Sequence, residues 1–196
     1  IMATFKINGK NFATQDGTGA ATVHSDVVFP TGHIIQIAQA KKTDAETFNN
    51  TNWTTAISSF NPSFVTKKAN SKILVETNQF WGCAAGGTEG VGVRLYRNDG
   101  TGYSEVTATR DGTITYSVWL CVPGFTGDDN APQGVTASFL DSPSVAAGTT
   151  LTYAFHPRPL SASYPVYLNR GKSSDSGTSI GQWLTTSTAT IKEIAA

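Results

Sequence analysis

The side chains that could carry out acid–base, nucleophilic or metal chemistry are few in this sequence and widely scattered. Its three histidines, His24, His33 and His156, have no spacing that would bring them to one metal ion, so each is expected to be a structural or surface histidine. Neither an H-E-x-x-H nor a G-x-S-x-G motif occurs, and no pair of carboxylates can be nominated for glycoside cleavage. Asp141 and Asp175 are better explained as turn residues than as catalytic acids. We therefore expect a protein that is not an enzyme and that holds no metal and no cofactor.

The best candidates for ligand recognition lie in predicted loops. The loop over residues 123–132 carries Phe125 and the run Asp128, Asp129 and Asn130, whose oxygen atoms could contact sugar hydroxyls. The same oxygens could hold calcium, although a solvated loop tip explains them better. Loops on a rigid β scaffold commonly carry recognition. The candidate recognition residues are therefore Phe125, Asp128, Asp129, Asn130 and Tyr103.

The tryptophans and cysteines are mostly expected in the interior. Trp81 and Trp119 continue alternating strand patterns, which favours a place in the core or in an interface. For Trp53 and Trp183, stacking on a sugar ring stays open as a role. The two cysteines, Cys83 and Cys121, lie in apolar strand-like settings. We expect two buried free thiols there, in preference to a disulfide.

Strands must position these residues, because apolar and polar side chains alternate along most of the sequence. A period of two is typical of strands with one buried face. It is clear over residues 71–81, 91–97, 113–121, 134–140, 149–156 and 186–194. Asp-Gly, Asn and Pro-Gly turns separate these segments. The pattern predicts an all-β, jelly-roll-like β-sandwich with an N-terminal extended arm, since this closure protects most strand edges.

Three segments lead to more specific expectations. Residues 33–40 are apolar enough to form a central strand, and residues 53–60 are interpreted as the next strand. Residues 157–159 read Pro-Arg-Pro, and proline cannot donate a hydrogen bond to a neighbouring strand. This last segment must therefore lie at a sheet edge or in a loop.

The beginning of the chain differs from the rest. Residues 1–31 are rich in Gly, Asp and Thr, and we interpret them as an N-terminal arm for docking or strand exchange. Residues 32–196 form the predicted sandwich domain. A segment as small as the arm cannot bury much surface by itself, so we expect it to pack on a neighbouring chain or on a larger particle. Residues 1–9 also lack the pattern of a signal peptide.

The charge balance limits the classes of partner. Lys and Arg total 14, Asp and Glu total 14, and only 14% of the residues are charged. A neutral chain has no basic surface for nucleic acid or for anionic lipid, and no run approaches the roughly 18 apolar residues of a membrane helix. We expect neither nucleic acid nor membrane as a partner. Low charge also weakens the solubility of a lone monomer, which favours an oligomer.

A succession of short segments runs through residues 32–196. They are GHIIQIAQAKKTDAETFNNTNWTTA, PSFVTKKANSKILVETNQFWG, GVRLYRNDG, SFLDSP, AGTTLTYAFHPR, VYLNRG and STATIKEIAA. No single segment is diagnostic. In their order and spacing they resemble a module of phage tail fibres and virion structural proteins that is common in marine and cyanobacterial phages.

The resemblance implies a non-enzymatic, homotrimeric protein of the virion surface that is assembled in the host cytoplasm. Its arm would contact other virion proteins, and a host surface glycan is a further candidate partner. A tail-fibre-type protein and a capsid decoration or head-fibre protein both fit. A secreted carbohydrate-binding module or glycan-active protein is the alternative, which the missing signal peptide pattern and the missing acid pair disfavour.

Overall fold

The computed structural model describes residues 2–16, 19, 22–23, 30–83, 90–109, 118–122, 132–171 and 184–196 of the chain. Within these ranges the chain forms strands and one 3-10 turn at Thr107–Thr109, with no α-helix. The strands are β1 (Met2–Ile7), β2 (Lys10–Asp16), β3 (Thr22–Val23), β4 (Ile34–Lys42), β5 (Glu46–Phe48), β6 (Ser63–Val65), β7 (Lys72–Cys83), β8 (Val91–Asn98), β9 (Tyr103–Glu105), β10 (Leu120–Val122), β11 (Gln133–Asp141), β12 (Thr150–Pro159), β13 (Val166–Leu168) and β14 (Ser187–Ile194). The predicted all-β class is confirmed.

The strands from β4 onward build two sheets. The smaller sheet has the order β10-β8-β12-β6, and β9 also pairs with β8. The larger sheet has the order β4-β14-β7-β13-β5, and β11 also pairs with β7. The described pairings are antiparallel. The two sheets enclose one hydrophobic core, so the predicted jelly-roll-like β-sandwich is confirmed.

Strand β7 organises the larger sheet. On one side it pairs with β11 along its length, from Ile73 opposite Asp141 to Trp81 opposite Gln133. On the other side it pairs first with β14, as far as Asn78, and then with β13 from Trp81 onward. This long strand therefore sets the register of both halves of the sheet.

The core consists of the inward-facing residues of both sheets. Leu95 and Phe155 from the smaller sheet and Val75, Trp81 and Ile191 from the larger sheet have no exposed surface. Burying each of these side chains contributes roughly 1.5–3 kcal/mol. The interior position predicted for Trp81 is confirmed. The indole of Trp119 stacks on the Phe155 ring at 5.8 Å, which confirms its predicted packing on the core.

The arm forms a separate three-stranded sheet in the order β1-β2-β3. The β1–β2 hairpin turns at Asn8 and Gly9, which both have positive φ, as a two-residue hairpin turn requires. The rings of Phe5 and Phe12 meet edge to face at 5.8 Å, yet both stay exposed. This small sheet therefore has apolar side chains but no enclosed core.

Strand β4 is an edge strand, so its predicted central position is wrong. It pairs with β14 alone among the described strands. Its apolar character has a different cause: Ala38 and Ala40 face the core, while Ile34 and Ile37 lie on the outer face of the sheet and are largely exposed. The sequence is continuously apolar here because both faces of β4 carry apolar side chains. Within the described chain, only the inner face of β4 is covered.

The strand predicted over residues 53–60 is also wrong, because this segment is a loop with turns. Its apolar residues close the sandwich along β12: the Ile57 amide donates to the Phe155 carbonyl at 2.9 Å, and Phe60 packs on the Phe155 ring. Most of the strand predicted over residues 113–121 cannot be compared, because residues 110–117 lie outside the described ranges. Its last two residues, Leu120 and Cys121, begin β10.

The Pro-Arg-Pro segment does lie at an edge, as predicted. Strand β12 continues through Pro159, and its last residues pair with β8. On the other side of β12, β6 pairs only with Thr150–Thr152. At this end of β12, β8 is its one paired neighbour among the described strands. The two prolines, which lack an N–H group, therefore interrupt no hydrogen bonds to a second described strand.

Candidate functional site

An ion pair between Asp141 and Arg97, with a buried carboxylate, ties the two sheets together. Asp141, at the end of β11, accepts a hydrogen bond from the Arg97 guanidinium at 2.5 Å and another from the Tyr153 hydroxyl at 2.7 Å. Burial, together with the Asp141 charge, raises the pKa of Tyr153 far above its usual value, so the phenol stays a donor. Asp141 is therefore not the turn residue that the sequence suggested. It is a buried acceptor between strands of opposite sheets.

A second buried carboxylate, Glu193 of β14, holds a loop against the larger sheet. It has no exposed surface and accepts hydrogen bonds from the backbone amides of Lys67 and Lys68 at 2.9–3.0 Å. The Gln36 amide also donates to it at 2.5 Å. All acceptor capacity is used internally, so Glu193 serves packing of the loop and not chemistry on a ligand.

A third cluster is centred on Asn169, which has positive φ and is buried. Its side-chain amide donates to the carbonyls of Lys42 and Asp44, at 2.9 and 3.0 Å, and its side-chain oxygen accepts from the Ser187 hydroxyl at 2.6 Å. Lys42 is itself buried and forms ion pairs with Asp44 and Glu46. This cluster joins β4, β13 and β14 at one end of the sheet.

The outer face of the smaller sheet carries a different kind of cluster. His156 of β12 stacks on the Tyr96 ring of β8 at 4.0 Å, and the Tyr103 ring of β9 lies 6.4 Å away. We call these three residues the tyrosine–histidine face. His156 is only 8% exposed, whereas Tyr103 is 46% exposed. Tyr103 thus forms the solvent side of the cluster.

A cation lies beside this face. Arg94 is opposite His156 in the strand register, pairs with Glu105 at 3.3 Å and places its guanidinium 4.2 Å above the Trp53 ring. The Trp53 carbonyl in turn lies 2.8 Å from His156 Nδ1. The charge of Arg94 is therefore compensated by a carboxylate and by an aromatic ring.

Next to Trp53 there is an apolar pocket of about 230 Å³. Gly92 forms part of its wall, where an added Cβ would come within 2.7 Å of Val118 and 3.1 Å of Trp53. Cys121 also lines the pocket. It forms no disulfide with Cys83, as predicted, but it is exposed, so its predicted burial is wrong. In the short strand β10 it points away from the core that Leu120 and Val122 enter.

The outer face of the larger sheet combines a polar groove with an apolar patch. The groove, about 460 Å³, is lined by hydroxyl, amide and carboxylate side chains of β7, β11 and β14. Beside it lie exposed or half-buried aliphatic side chains, which we call the sheet-face patch: Ile34, Ile37, Leu74, Leu140 and Ile194. The register places Ile37, Leu74 and Leu140 in one row across four strands, in which Lys192 of β14, paired with Glu76, lies between Ile37 and Leu74.

Of the five predicted recognition residues, the structure places Tyr103 alone. Phe125, Asp128, Asp129 and Asn130 lie outside the described residues, as does Trp183. Tyr103 is joined by Tyr96 and His156, which sequence reasoning did not group with it. Period-two alternation puts Tyr96 and His156 on outward faces of their strands, but only the β8–β12 register brings them together.

No group of three or more His, Cys, Asp or Glu side chains in the described ranges could hold a metal ion. No helix in the described part of the chain has the length and hydropathy to cross a membrane.

Comparisons with known proteins find likeness in structure but not in sequence. No protein-family model and no curated protein matches the chain. Among solved structures, the Eiger TNF from S. frugiperda is similar with a TM-score of 0.43 at 9% identity, covering 83% of this chain and 93% of that one. A chain in the structure of the infectious bursal disease virus Gx strain is similar with a TM-score of 0.40 at 9% identity. The match covers 96% of this chain but only 47% of that one. Both likenesses are too distant to assign a function.

Proposed function

We propose that this chain is a non-enzymatic structural protein of a phage virion, displayed on the particle surface as a homotrimer. The resemblance of residues 32–196 to virion modules supports the proposal, because its segments coincide with the elements of the sandwich. They contain β4, β5, β6, β13 and β14, all but one residue each of β7, β8 and β12, and the end of β11. The segments thus belong to the scaffold and not to a detached loop motif.

The polar residues of those segments have structural partners, which supports a role without catalysis. Arg97, Asp141 and Tyr153 come from three different segments and meet in one buried cluster. Glu193 and Asn169 belong to two more and are likewise held by hydrogen bonds inside the protein. An acid whose oxygens are already occupied in the core is a poor general acid or base.

The observation that carries the oligomeric part of the proposal is the apolar surface left uncovered. Phe5 and Ile7 of the arm are 59% and 54% exposed, and Ile37 of the sheet-face patch is 60% exposed. The patch extends roughly 15 Å across four strands. Exposed apolar patches on a neutral protein mark contacts with other chains. The patch suits a contact between copies, and the arm suits a contact with a neighbouring copy or with another virion protein.

The experiment is to locate the protein on intact particles. Gold-labelled antibody against the chain should bind purified particles, at the tail for a tail-fibre-type protein or at the head for a decoration or head-fibre protein. Added to particles that lack it, a chain without residues 2–29 should fail to attach, whereas the full chain should attach. Absence of the protein from particles, or full attachment of the shortened chain, would contradict the corresponding part of the proposal.

A secreted carbohydrate-binding module is the second candidate, because the tyrosine–histidine face combines side-chain types that suit sugar contact. The gene neighbourhood separates the two candidates. Portal, capsid or tail genes beside this one favour the virion protein, and polysaccharide-degrading genes favour the secreted module.

A further inference from the structure

The protonation of His156 follows from its surroundings. Its Nδ1 lies 2.8 Å from the Trp53 carbonyl oxygen, and a carbonyl can only accept a hydrogen bond, so Nδ1 carries the proton. Burial lowers the pKa of His156 below its usual 6.5, while the Trp53 carbonyl and Glu105 act in the opposite direction. The imidazole is therefore neutral at neutral pH, and its Nε2 is an acceptor.

That acceptor has no partner. His156 is only 8% exposed, yet its Nε2 has no hydrogen-bond donor within the described structure. A buried polar atom without a partner destabilises a protein, because nothing replaces the hydrogen bond it makes with water when exposed. Most buried polar atoms in proteins are satisfied, so an exception calls for a specific explanation. The requirement here is a hydrogen-bond donor that arrives from outside the chain.

The surroundings favour a neutral donor. Arg94, opposite His156 in the strand register, is already paired with Glu105 and packed on Trp53. Arg158, two residues further along β12, donates to the Thr51 carbonyl and lies over the same Trp53 ring, so both neighbouring cations are engaged within the protein. Aromatic rings border the histidine on two sides, through Tyr96 and Tyr103. A saccharide combines what this site requires, because it has neutral hydroxyl donors and C–H faces that pack against aromatic rings.

The ring of Tyr103 is the exposed member of the cluster. Nε2 has no accessible surface of its own, so a ligand that reaches it must displace a neighbouring side chain. Tyr103 begins the three-residue strand β9, which pairs with β8 after the turn Asn98–Gly102. Gly100 and Gly102 in that turn have positive φ, and no other atom lies within 4 Å of where their Cβ atoms would be. The turn that leads into Tyr103 is therefore loosely packed at both glycines.

We infer that the tyrosine–histidine face is a saccharide-binding site, in which a sugar hydroxyl donates to His156 Nε2 and the Tyr103 ring packs against the sugar. The inference deepens the proposed function, since display on a particle would give this site a host glycan as its ligand. The recognition role predicted for the loop over residues 123–132 falls almost entirely outside the described residues and stays a prediction.

The test uses the full chain and four probes: the methyl glycosides of glucose, galactose, mannose and N-acetylglucosamine. We expect at least one of them, at millimolar concentration, to move the His156 Nε2 resonance upfield in ¹⁵N NMR, the direction for an imidazole nitrogen that accepts a hydrogen bond. Tyr103→Ala should weaken that binding about tenfold. His156→Asn should abolish it, although its amide can still donate to the Trp53 carbonyl.

Tyr164→Ala is the matched control, because Tyr164 is 41% exposed and lies outside the tyrosine–histidine face. It should bind as the unchanged chain does, and all three variants should keep the β-sheet circular dichroism spectrum. If none of the four glycosides moves the His156 resonance, or if Tyr103→Ala and Tyr164→Ala bind equally well, the inference is overturned. A chain that binds a glycoside but is absent from particles would remove the proposed function and leave the site standing.

Discussion

Replacing Asp141 by alanine should be among the most destabilising single changes in this protein. The change leaves the Arg97 guanidinium between the sheets without its carboxylate, and the Tyr153 hydroxyl without its acceptor. Breaking a buried ion pair by removing one partner costs about 3–5 kcal/mol. The Arg97 side chain is 20% exposed, so water can partly solvate the guanidinium left behind. We therefore expect a loss of about 3 kcal/mol in the free energy of unfolding, at the lower end of that range.

Two companion variants divide this loss into its parts. Tyr153→Phe removes one hydrogen bond to a carboxylate and should cost about 1.5 kcal/mol. The double variant Arg97→Met with Asp141→Leu removes both charges together, so it should be more stable than Asp141→Ala alone. Urea unfolding followed by tryptophan fluorescence gives each value.

The surface pair between Lys192 and Glu76 provides the matched control, because its side chains are 26% and 39% exposed. Glu76→Ala should cost less than about 1 kcal/mol, as is usual for exposed ion pairs. A loss for Asp141→Ala no larger than that for Glu76→Ala would refute the reasoning. So would a double variant less stable than Asp141→Ala, since the cost would then not come from an uncompensated charge.

Three further predictions concern assembly, pH and packing. The double variant Ile37→Glu with Leu140→Glu should convert the proposed trimer to a monomer of about 20.7 kDa in sedimentation equilibrium. The reason is that charges on the sheet-face patch oppose its burial. A double variant that remains trimeric would exclude the patch as the interface. Since burial lowers the pKa of His156, the unfolded chain binds a proton below its usual pKa of 6.5 that the folded chain does not bind. The free energy of unfolding should therefore fall as the pH drops below that value, and less so in His156→Asn, as urea titrations at several pH values would show. Gly92→Ala should lower the midpoint of thermal unfolding, because its Cβ would meet Val118 at 2.7 Å; an unchanged midpoint would mean that Val118 moves freely.

The period-two alternation predicted the strands whose two faces differ in environment. Strand β14 is the clearest example: Ala189 and Ile191 face the core, while Thr190 and Lys192 face outward. The alternation did not predict the places of apolar residues that lie outside the buried face of a strand. Ile57 and Phe60 close the end of the core from a loop, and Ile37 belongs to an uncovered outer face.

The candidate site could be predicted only in part. Tyr103 was identifiable from its place after an Asn-Asp-Gly turn, whereas His156 was expected to be an ordinary structural or surface histidine. What makes His156 unusual is its stacking on Tyr96 and the unpaired Nε2. Both depend on how β8 and β12 align over a separation of about sixty residues. That register is a tertiary property, and local sequence pattern does not contain it.

The position of β14 has a consequence for synthesis of the protein. Among the described strands of the sandwich, β14 comes last in the sequence, yet it lies between β4, the first of them, and β7, the centre of the larger sheet. Until Ser187–Ile194 has emerged from the ribosome, the nascent chain cannot close this sheet, and β4 and the first half of β7 lack their shared partner. Folding of the sandwich must therefore wait until this strand has been synthesised. A chain that stops before Ser187 would expose two unpaired strand edges, which are the surfaces from which aggregation begins.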